Sequence, residues 1–197
     1  GFSKPYCYHI DQFESLRPVF MQVMKYARAM GLDMIQGDHE DAPGQLELNW
    51  MYDDVLRNAD RLSTYRQICA QVAREFSLIA CFMTKPFMGV SASGCHTNMS
   101  LWTGGKDVVN KLSHKSLPGM DHVFTYVEGG KNTFMPDTKD VQLPGKVGLK
   151  AIGCVMKHLG ALTAIGSSTV NSYRRLWDTG FWAPVYADWG YQNRTCG

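Results

Sequence analysis

Two carboxylates stand seven residues apart around a turn in this chain. Between Asp38 and Glu47 the sequence reads Asp-His-Glu-Asp-Ala-Pro-Gly-Gln-Leu-Glu. Pro43-Gly44 supplies the turn, Gly44 being free to take a positive φ. The turn is expected to join strands at 32–40 and 45–52. Side chains alternate along a strand, so Leu46, Leu48 and Trp50 point one way and Glu47 and Asn49 the other. Glu40 and Glu47 then converge on one side, as oxygen ligands suited to a hard cation such as Mg²⁺ or Mn²⁺. The same spacing also fits a solvated acidic hairpin.

A second segment, Gly94-Cys95-His96-Thr97-Asn98-Met99-Ser100, follows a run of small residues from Gly89 to Gly94 that lets backbone approach a ligand closely. Read as a strand over 95–102, it places His96, Asn98 and Ser100 on one face. Cys95, Thr97, Met99 and Leu101 then meet the core. A lone histidine also fits a purely structural role. A third group comprises Arg174, Arg175 and Arg194, guanidinium groups that could hold a phosphate or carboxylate in bidentate fashion. Around them lie Trp177, Phe181, Trp182 and Trp189, suited to core or subunit-interface packing.

These groups need elements to carry them. A first helix is expected to start at Pro18 and end before Gly31, with Phe20, Val23, Met24 and Ala27 as its apolar stripe. A second follows Asp53 and Asp54, with Val55, Ala59, Leu62, Cys69, Val72 and Phe76 at helical spacing. A third, over 146–164, has few polar positions and is expected to be deeply buried. Further strands are expected at 78–83, 122–127 and 184–189. Most of 103–143 reads as surface loop, including the basic stretch 106–115. Strands and helices do not alternate as in a doubly wound sheet. The fold class is therefore α+β, with a mainly antiparallel curved sheet flanked by helices.

The 197 residues are 45% hydrophobic, enough for a substantial core, and carry a net charge of only +2. That balance gives no electrostatic footprint for nucleic acid. No apolar run approaches the ~18 residues of a membrane span. Six cysteines include no C-x-x-C pair, and Cys69, Cys81 and Cys154 lie in apolar runs as small core residues. A reducing, cytoplasmic compartment is expected. No signal-peptide pattern is read at its start, and because the chain opens on glycine an internal segment is expected, which makes that reading weak evidence.

Taken in order, these segments resemble the catalytic domain of the glutamine synthetase family. The resemblance rests on His39, Glu40, Ala42, Pro43, Gly44, Gln45 and Glu47; on Phe82, Met83, Lys85 and Pro86; and on Ser93, Gly94, His96, Ser100 and Leu101. It continues through Thr169 to Leu176, Ala183-Pro184-Val185 and Asn193-Arg194. The Asp38-His39-Glu40-Asp41 opening and the Trp182–Pro184 region look closer to the branch that includes γ-glutamylmethylamide synthetases.

The resemblance implies an ATP-dependent ligase that joins glutamate to ammonia or a small amine through a γ-glutamyl phosphate. Ordinary glutamine synthesis with ammonia, and a catalytically silent glutamate- or amine-binding relative, are the other readings. It implies Glu40, Glu47 and His96 as ligands of Mg²⁺ or Mn²⁺. Asn98, Ser100 and Arg194 are implied at ATP, and Ser91, Ala92 and Arg175 at glutamate. Arg175 and Arg194 are implied as the catalytic arginines. Residues 1–197 would form part of a catalytic domain, with the small N-terminal domain and the C-terminal part of the catalytic domain outside the segment. The full-length protein would be a homo-oligomeric ring.

This sequence departs from the family pattern in four places. Ser91-Ala92 stands where the family usually has Asn-Gly, and Asn98 where it usually has a second histidine. One extra residue lies between Arg175 and Ala183. The family's acidic residue at the amine site then falls on Trp182, which takes no proton, with Asp178 nearby as a substitute.

Overall fold

The computed structural model describes residues 7–112, 122–137, 139, 143–177 and 186–191. Its elements, in chain order, are α1 (Ile10–Ala29), β1 (Met34–His39), β2 (Leu46–Trp50), α2 (Val55–Glu75), β3 (Trp102–Thr103), β4 (Lys106–Leu112), β5 (His122–Glu128), β6 (Lys131–Asn132), α3 (Lys146–Gly166) and α4 (Val170–Trp177). The class is α+β, as expected. The pairings β1-β2 and β3-β6 are antiparallel, also as expected, and among the described residues the sheet consists of three two-stranded pieces, β1-β2, β3-β6 and β4-β5. The chain divides into two compact units. One comprises Gly1–Phe82 with Asp107–Glu128, the other Met83–Lys106 with Gly129–Gly197.

The first unit is built around the β1-β2 hairpin. The strands pair antiparallel, with His39 opposite Leu46, Asp38 opposite Glu47, Gly37 opposite Leu48 and Gln36 opposite Asn49. A register shift between Met34 and Gln36 then brings Met34 opposite Trp50. Gly44 takes φ +76° in the turn. Leu46, Leu48 and Trp50 pack against the core, as the alternation predicts. That core joins Phe20, Val23, Met24 and Ala27 of α1 to Leu32, Met34, Ile68, Cys69 and Val72.

Helix α1 begins eight residues before the expected start, and Pro18 lies inside it. Proline removes one donor, the N–H that would meet the Glu14 carbonyl. Pro18 is exposed, so water can satisfy that carbonyl. The upstream turns contribute Phe13, which meets Phe20 edge-on at 5.1 Å.

Helix α2 starts where the acidic pair predicts. The Asp54 carboxylate accepts from the Leu56 and Arg57 N–H groups, closing the first turn. Its buried face differs from the expected stripe. Arg61, Ile68, Cys69, Val72 and Ala73 are buried, whereas Val55, Leu62 and Phe76 are exposed. Arg61 enters because its Nη2 meets Asp53 Oδ2 at 2.7 Å, while Arg57 holds the other Asp53 oxygen at 2.8 Å. A paired guanidinium can be buried where an unpaired one cannot.

Several expectations fail. Residues 78–83 and 95–101 form no strand, and β3 begins only at Trp102. An extended segment becomes a strand only when a neighbour takes its backbone groups, and β3 finds two residues of β6. Met99 and Leu101, expected in the core, are exposed. Helix α3 is not deeply buried: Gly148 is its one buried residue among those described, and Leu149, Leu162 and Ile165 are exposed. Cys81 and Cys154 are also exposed, while Cys69 is buried as expected. The basic stretch from Lys106, expected as loop, is strand β4 as far as Leu112, and β6 is a further unexpected strand, whereas β5 lies where the strand at 122–127 is expected. The expected strand 184–189 forms no strand over 186–189, and 184 and 185 lie outside the described residues.

The approach of α1 to the hairpin depends on Gly37. A Cβ there would run into the Phe20 ring and the Glu47 backbone oxygen. Gly37→Ala is therefore expected to destabilise the protein by about 1–3 kcal/mol through overpacking. Urea unfolding should show a lower midpoint with an unchanged m-value, and an unaltered midpoint would contradict this packing.

Candidate functional site

The hairpin register decides where the carboxylates go. Gly37 and His39 of β1 share the inward face with Leu46 and Leu48, and His39 is only 1% exposed. Asp38 and Glu47, paired directly, share the other face. One step beyond His39, the Glu40 N–H donates to the Gln45 carbonyl at 2.8 Å, so Glu40 returns to the face of Asp38 and Glu47. Glu40 and Glu47 therefore meet on one side of the turn.

Their electrostatics follow from that meeting. Glu40 is half-buried, and its carboxyl is pushed above the usual range. Burial is the main cause, the charge of Glu47 the next, and a shared hydrogen bond with Glu47 and the charge of Asp38 add to it. The Asp41 N–H, donating to Glu40 Oε2 at 3.3 Å, opposes the shift. Asn49 Nδ2 donates to Glu47 Oε1 at 3.2 Å and fixes its orientation. Tyr65, within electrostatic reach of Glu47, lies tilted against Trp50 with ring centroids 5.4 Å apart. The Tyr65 phenol is raised chiefly by burial, then by Cys69, with a smaller contribution from Glu47. Two carboxylates against a low-dielectric wall repel each other and offer hard oxygen donors. That donor set fits a divalent cation. Among the described residues no group of three or more His, Cys, Asp and Glu side chains gathers as a metal cluster.

The remaining candidates lie in the second unit. His96, Asn98 and Ser100 are exposed on an irregular segment, so strand alternation does not set their directions. The His96 ring folds back towards Gly94, where a Cβ would lie 3.4 Å from Nε2. Ser100 Oγ accepts from Trp102 Nε1 at 3.0 Å. Ser91 is buried and Ala92 half-buried. Arg175 is half-buried on α4, with no hydrogen-bond or ion-pair partner among the described residues. Asp178, Trp182 and Arg194 lie outside the described residues. Of the aromatic group, Trp177 is 90% exposed and Trp189 less so.

Sequence reasoning passed over Lys85 and Asn171 as anything beyond motif members. The Lys85 side chain is 1% exposed, and its Nζ donates to the Val90 carbonyl. Asn171 makes two bonds to the Lys85 backbone, accepting from its N–H at 2.7 Å and donating to its carbonyl at 2.6 Å. The one local signal was the Lys85-Pro86 dipeptide, since a proline restricts the residue before it to extended backbone.

Comparison with known proteins decides the family. The glutamine synthetase catalytic-domain profile matches residues 2–130 and 114–197. The chain belongs to the glutamine synthetase catalytic-domain family. It is 32% identical over 194 residues to a glutamine synthetase of Rhizobium meliloti (strain 1021), covering 96% of this chain and 39% of that protein. It is 30% identical over 198 residues to the glutamate–methylamine ligase of Methyloversatilis universalis, covering 98% of this chain and 39% of that protein. A solved GmaS/ADP complex superposes with a TM-score of 0.66 at 28% identity, over 94% of this chain and 36% of that one. The chain thus spans about two-fifths of the length of the curated relatives it matches. Among the described residues no helix is long and apolar enough to cross a membrane.

The carboxylate pair makes a prediction about stability. Because folding raises the Glu40 pKa, the folded state holds that proton more tightly than the unfolded chain does. The ionised pair therefore penalises folding at neutral pH, and the penalty is relieved as pH falls through the folded-state value. In metal-free buffer, Glu40→Gln should be more stable than wild type at pH 7 by about 0.2–1 kcal/mol, the scale of a cross-strand charge pair. The gain should shrink on acidification. Denaturant titrations at several pH values check this; a Glu40→Gln protein less stable at pH 7 would contradict it.

Proposed function

We propose that the full-length protein carrying this segment is an ATP-dependent ligase joining glutamate to a small amine. The observation that carries this reading is the pairing of Glu40 with Glu47 on one face of the hairpin, in a chain of the glutamine synthetase family. Support also comes from relatives that are a glutamate–methylamine ligase and a GmaS bound to ADP.

In the proposed reaction an oxygen of the glutamate γ-carboxylate attacks the γ-phosphorus of ATP, and ADP leaves. The amine nitrogen then attacks the acyl carbon, phosphate departs with the bridging oxygen, and the nitrogen loses a proton. Such transfers depend on positioning and charge neutralisation more than on covalent help. Glu40 and Glu47, with His96, would hold Mg²⁺ or Mn²⁺. A bound divalent cation supplies positive charge for the phosphoryl oxygens. Arg175 and the Ser91-Ala92 backbone would hold glutamate. Asn98 and Ser100 would contact ATP, and Arg194 would neutralise charge on the transferring group. A homo-oligomeric ring acting in the cytoplasm on free glutamate and amine completes the proposal.

The acceptor is set by Trp182 in this reading. An indole holds an alkylammonium by cation–π attraction worth about 0.5–2 kcal/mol, and it accepts no proton from ammonium. Ordinary glutamine synthesis is the second reading, favoured by the glutamine synthetase of R. meliloti at 32% identity.

The test is kcat/KM for ammonia, methylamine and larger amines at saturating ATP and glutamate, read as phosphate release by the full-length protein. A preference for a small alkylamine is expected, shifting towards ammonia in Trp182→Glu. A wild type that favours ammonia and loses that activity in Asp178→Asn would assign the acidic role to Asp178 and establish glutamine synthesis. Absence of turnover with any amine would leave the silent relative.

A further inference from the structure

The second unit contains a polar latch that no assigned role uses. Lys85 is among the most buried side chains in the protein, at 1% exposure, yet it is a lysine. Lysines are almost never fully buried unless their ammonium is satisfied. Its Nζ donates to the carbonyl of Val90, the residue just before Ser91 and Ala92. A few residues along, the Ser93 N–H donates to the Thr84 carbonyl at 2.8 Å. The 84–93 loop is thus closed at two points that flank Ser91-Ala92.

The same loop is tied to α4. Asn171 takes both peptide groups of Lys85, as a neighbouring strand would. Next to it, the buried Ser172 hydroxyl bridges Thr84 Oγ1 at 3.1 Å and Thr169 Oγ1 at 3.0 Å. Asn171 lies four residues, about one helical turn, before Arg175. Arg175 and the 84–93 loop therefore belong to one hydrogen-bonded piece.

We propose that Lys85 and Asn171 are positioning residues that hold the Ser91-Ala92 backbone in fixed register with Arg175, so that both grips on the glutamate substrate are set by one latch. This rests on the reading of Ser91, Ala92 and Arg175 as the glutamate site. Neither latch residue need touch substrate. Fixing two binding groups in advance removes the ordering cost that a loose loop would impose on binding. ATP contacts at Asn98 and Ser100 lie downstream of the closed loop, so the latch acts selectively on glutamate.

The test uses the full-length protein with Lys85→Met, which keeps length and loses the donor, and Asn171→Ala. The milder Asn171→Asp keeps the acceptor for the Lys85 N–H and loses only the donor. Each variant should raise KM for glutamate by roughly 10- to 100-fold, the scale of a misplaced binding group. KM for ATP should stay within about twofold, and the Asp variant should fall between wild type and Ala. The double variant should be no worse than the worse single one, because both act through one loop. Amide hydrogen exchange over residues 88–94, read without substrate, should quicken in every variant. Equal changes in both KM values, or unchanged exchange over 88–94, would overturn the latch. An inactive wild type whose exchange still quickens in the variants would instead overturn the ligase reading and leave the latch standing.

Discussion

The first unit depends on holding two negative charges together that would otherwise part. A β-hairpin does this at low entropic cost, because one register fixes every side chain on one face or the other. Here His39 and Leu46 face the core, so Glu40 and Glu47 must face away from it together. The repulsion is absorbed by packing elsewhere. Phe20 lies over Gly37, Trp50 Nε1 donates to Asn58 of α2, and Asp53 clamps Arg57 and Arg61 at the start of that helix. The first contact holds the hairpin to α1, the second holds it to α2, and the third closes the start of α2. A destabilised pair of carboxylates inside a stabilised frame is the usual mark of a site kept for a ligand rather than for the fold.

The second unit solves a different problem, that of shaping an irregular backbone. Residues 84–93 form no helix or strand, yet they enclose Ser91-Ala92. Loops of this kind need side chains to take the backbone groups that secondary structure would otherwise satisfy. Lys85 and Asn171 do so, and a hydroxyl–hydroxyl bond between Thr84 and Ser172 adds to them, with the first turn of α4 as the anchor. The same few bonds join the loop to the helix that carries Arg175.

How far the sequence discloses all this depends on whether the information is local. The hairpin is local: Pro43-Gly44 and the alternation over 45–50 carry it, and the structure has Gly44 at positive φ and Leu46, Leu48 and Trp50 on the core. The cap at Asp54 is local too. By contrast, Pro18 reads as a helix start, whereas the helix begins at Ile10 and its added turns bring Phe13 edge-on to Phe20. The face of α2 turns because Asp53 neutralises Arg61, a pairing that periodicity of apolar residues does not register. Segment 95–101 alternates as a strand does, but strands need partners and the pattern names none. Lys85 is missed for a related reason: a lysine reads as surface until its acceptor, five residues on, is known. The family resemblance, carried by the joint order of short motifs from Asp38 to Arg194, is confirmed by the profile match over residues 2–130 and 114–197.

The central claim is that Glu40 and Glu47 are paired in order to bind a divalent cation. Titration of the full-length protein with Mn²⁺, following the free-ion electron paramagnetic resonance signal, tests it most directly and needs no turnover. Binding by wild type is predicted to weaken about tenfold or more in Glu40→Gln and again in Glu47→Gln, as expected when one carboxylate of a hard-cation site is neutralised. Equal Mn²⁺ affinity in wild type and both variants would contradict it, leaving the pair as an acidic turn of the fold.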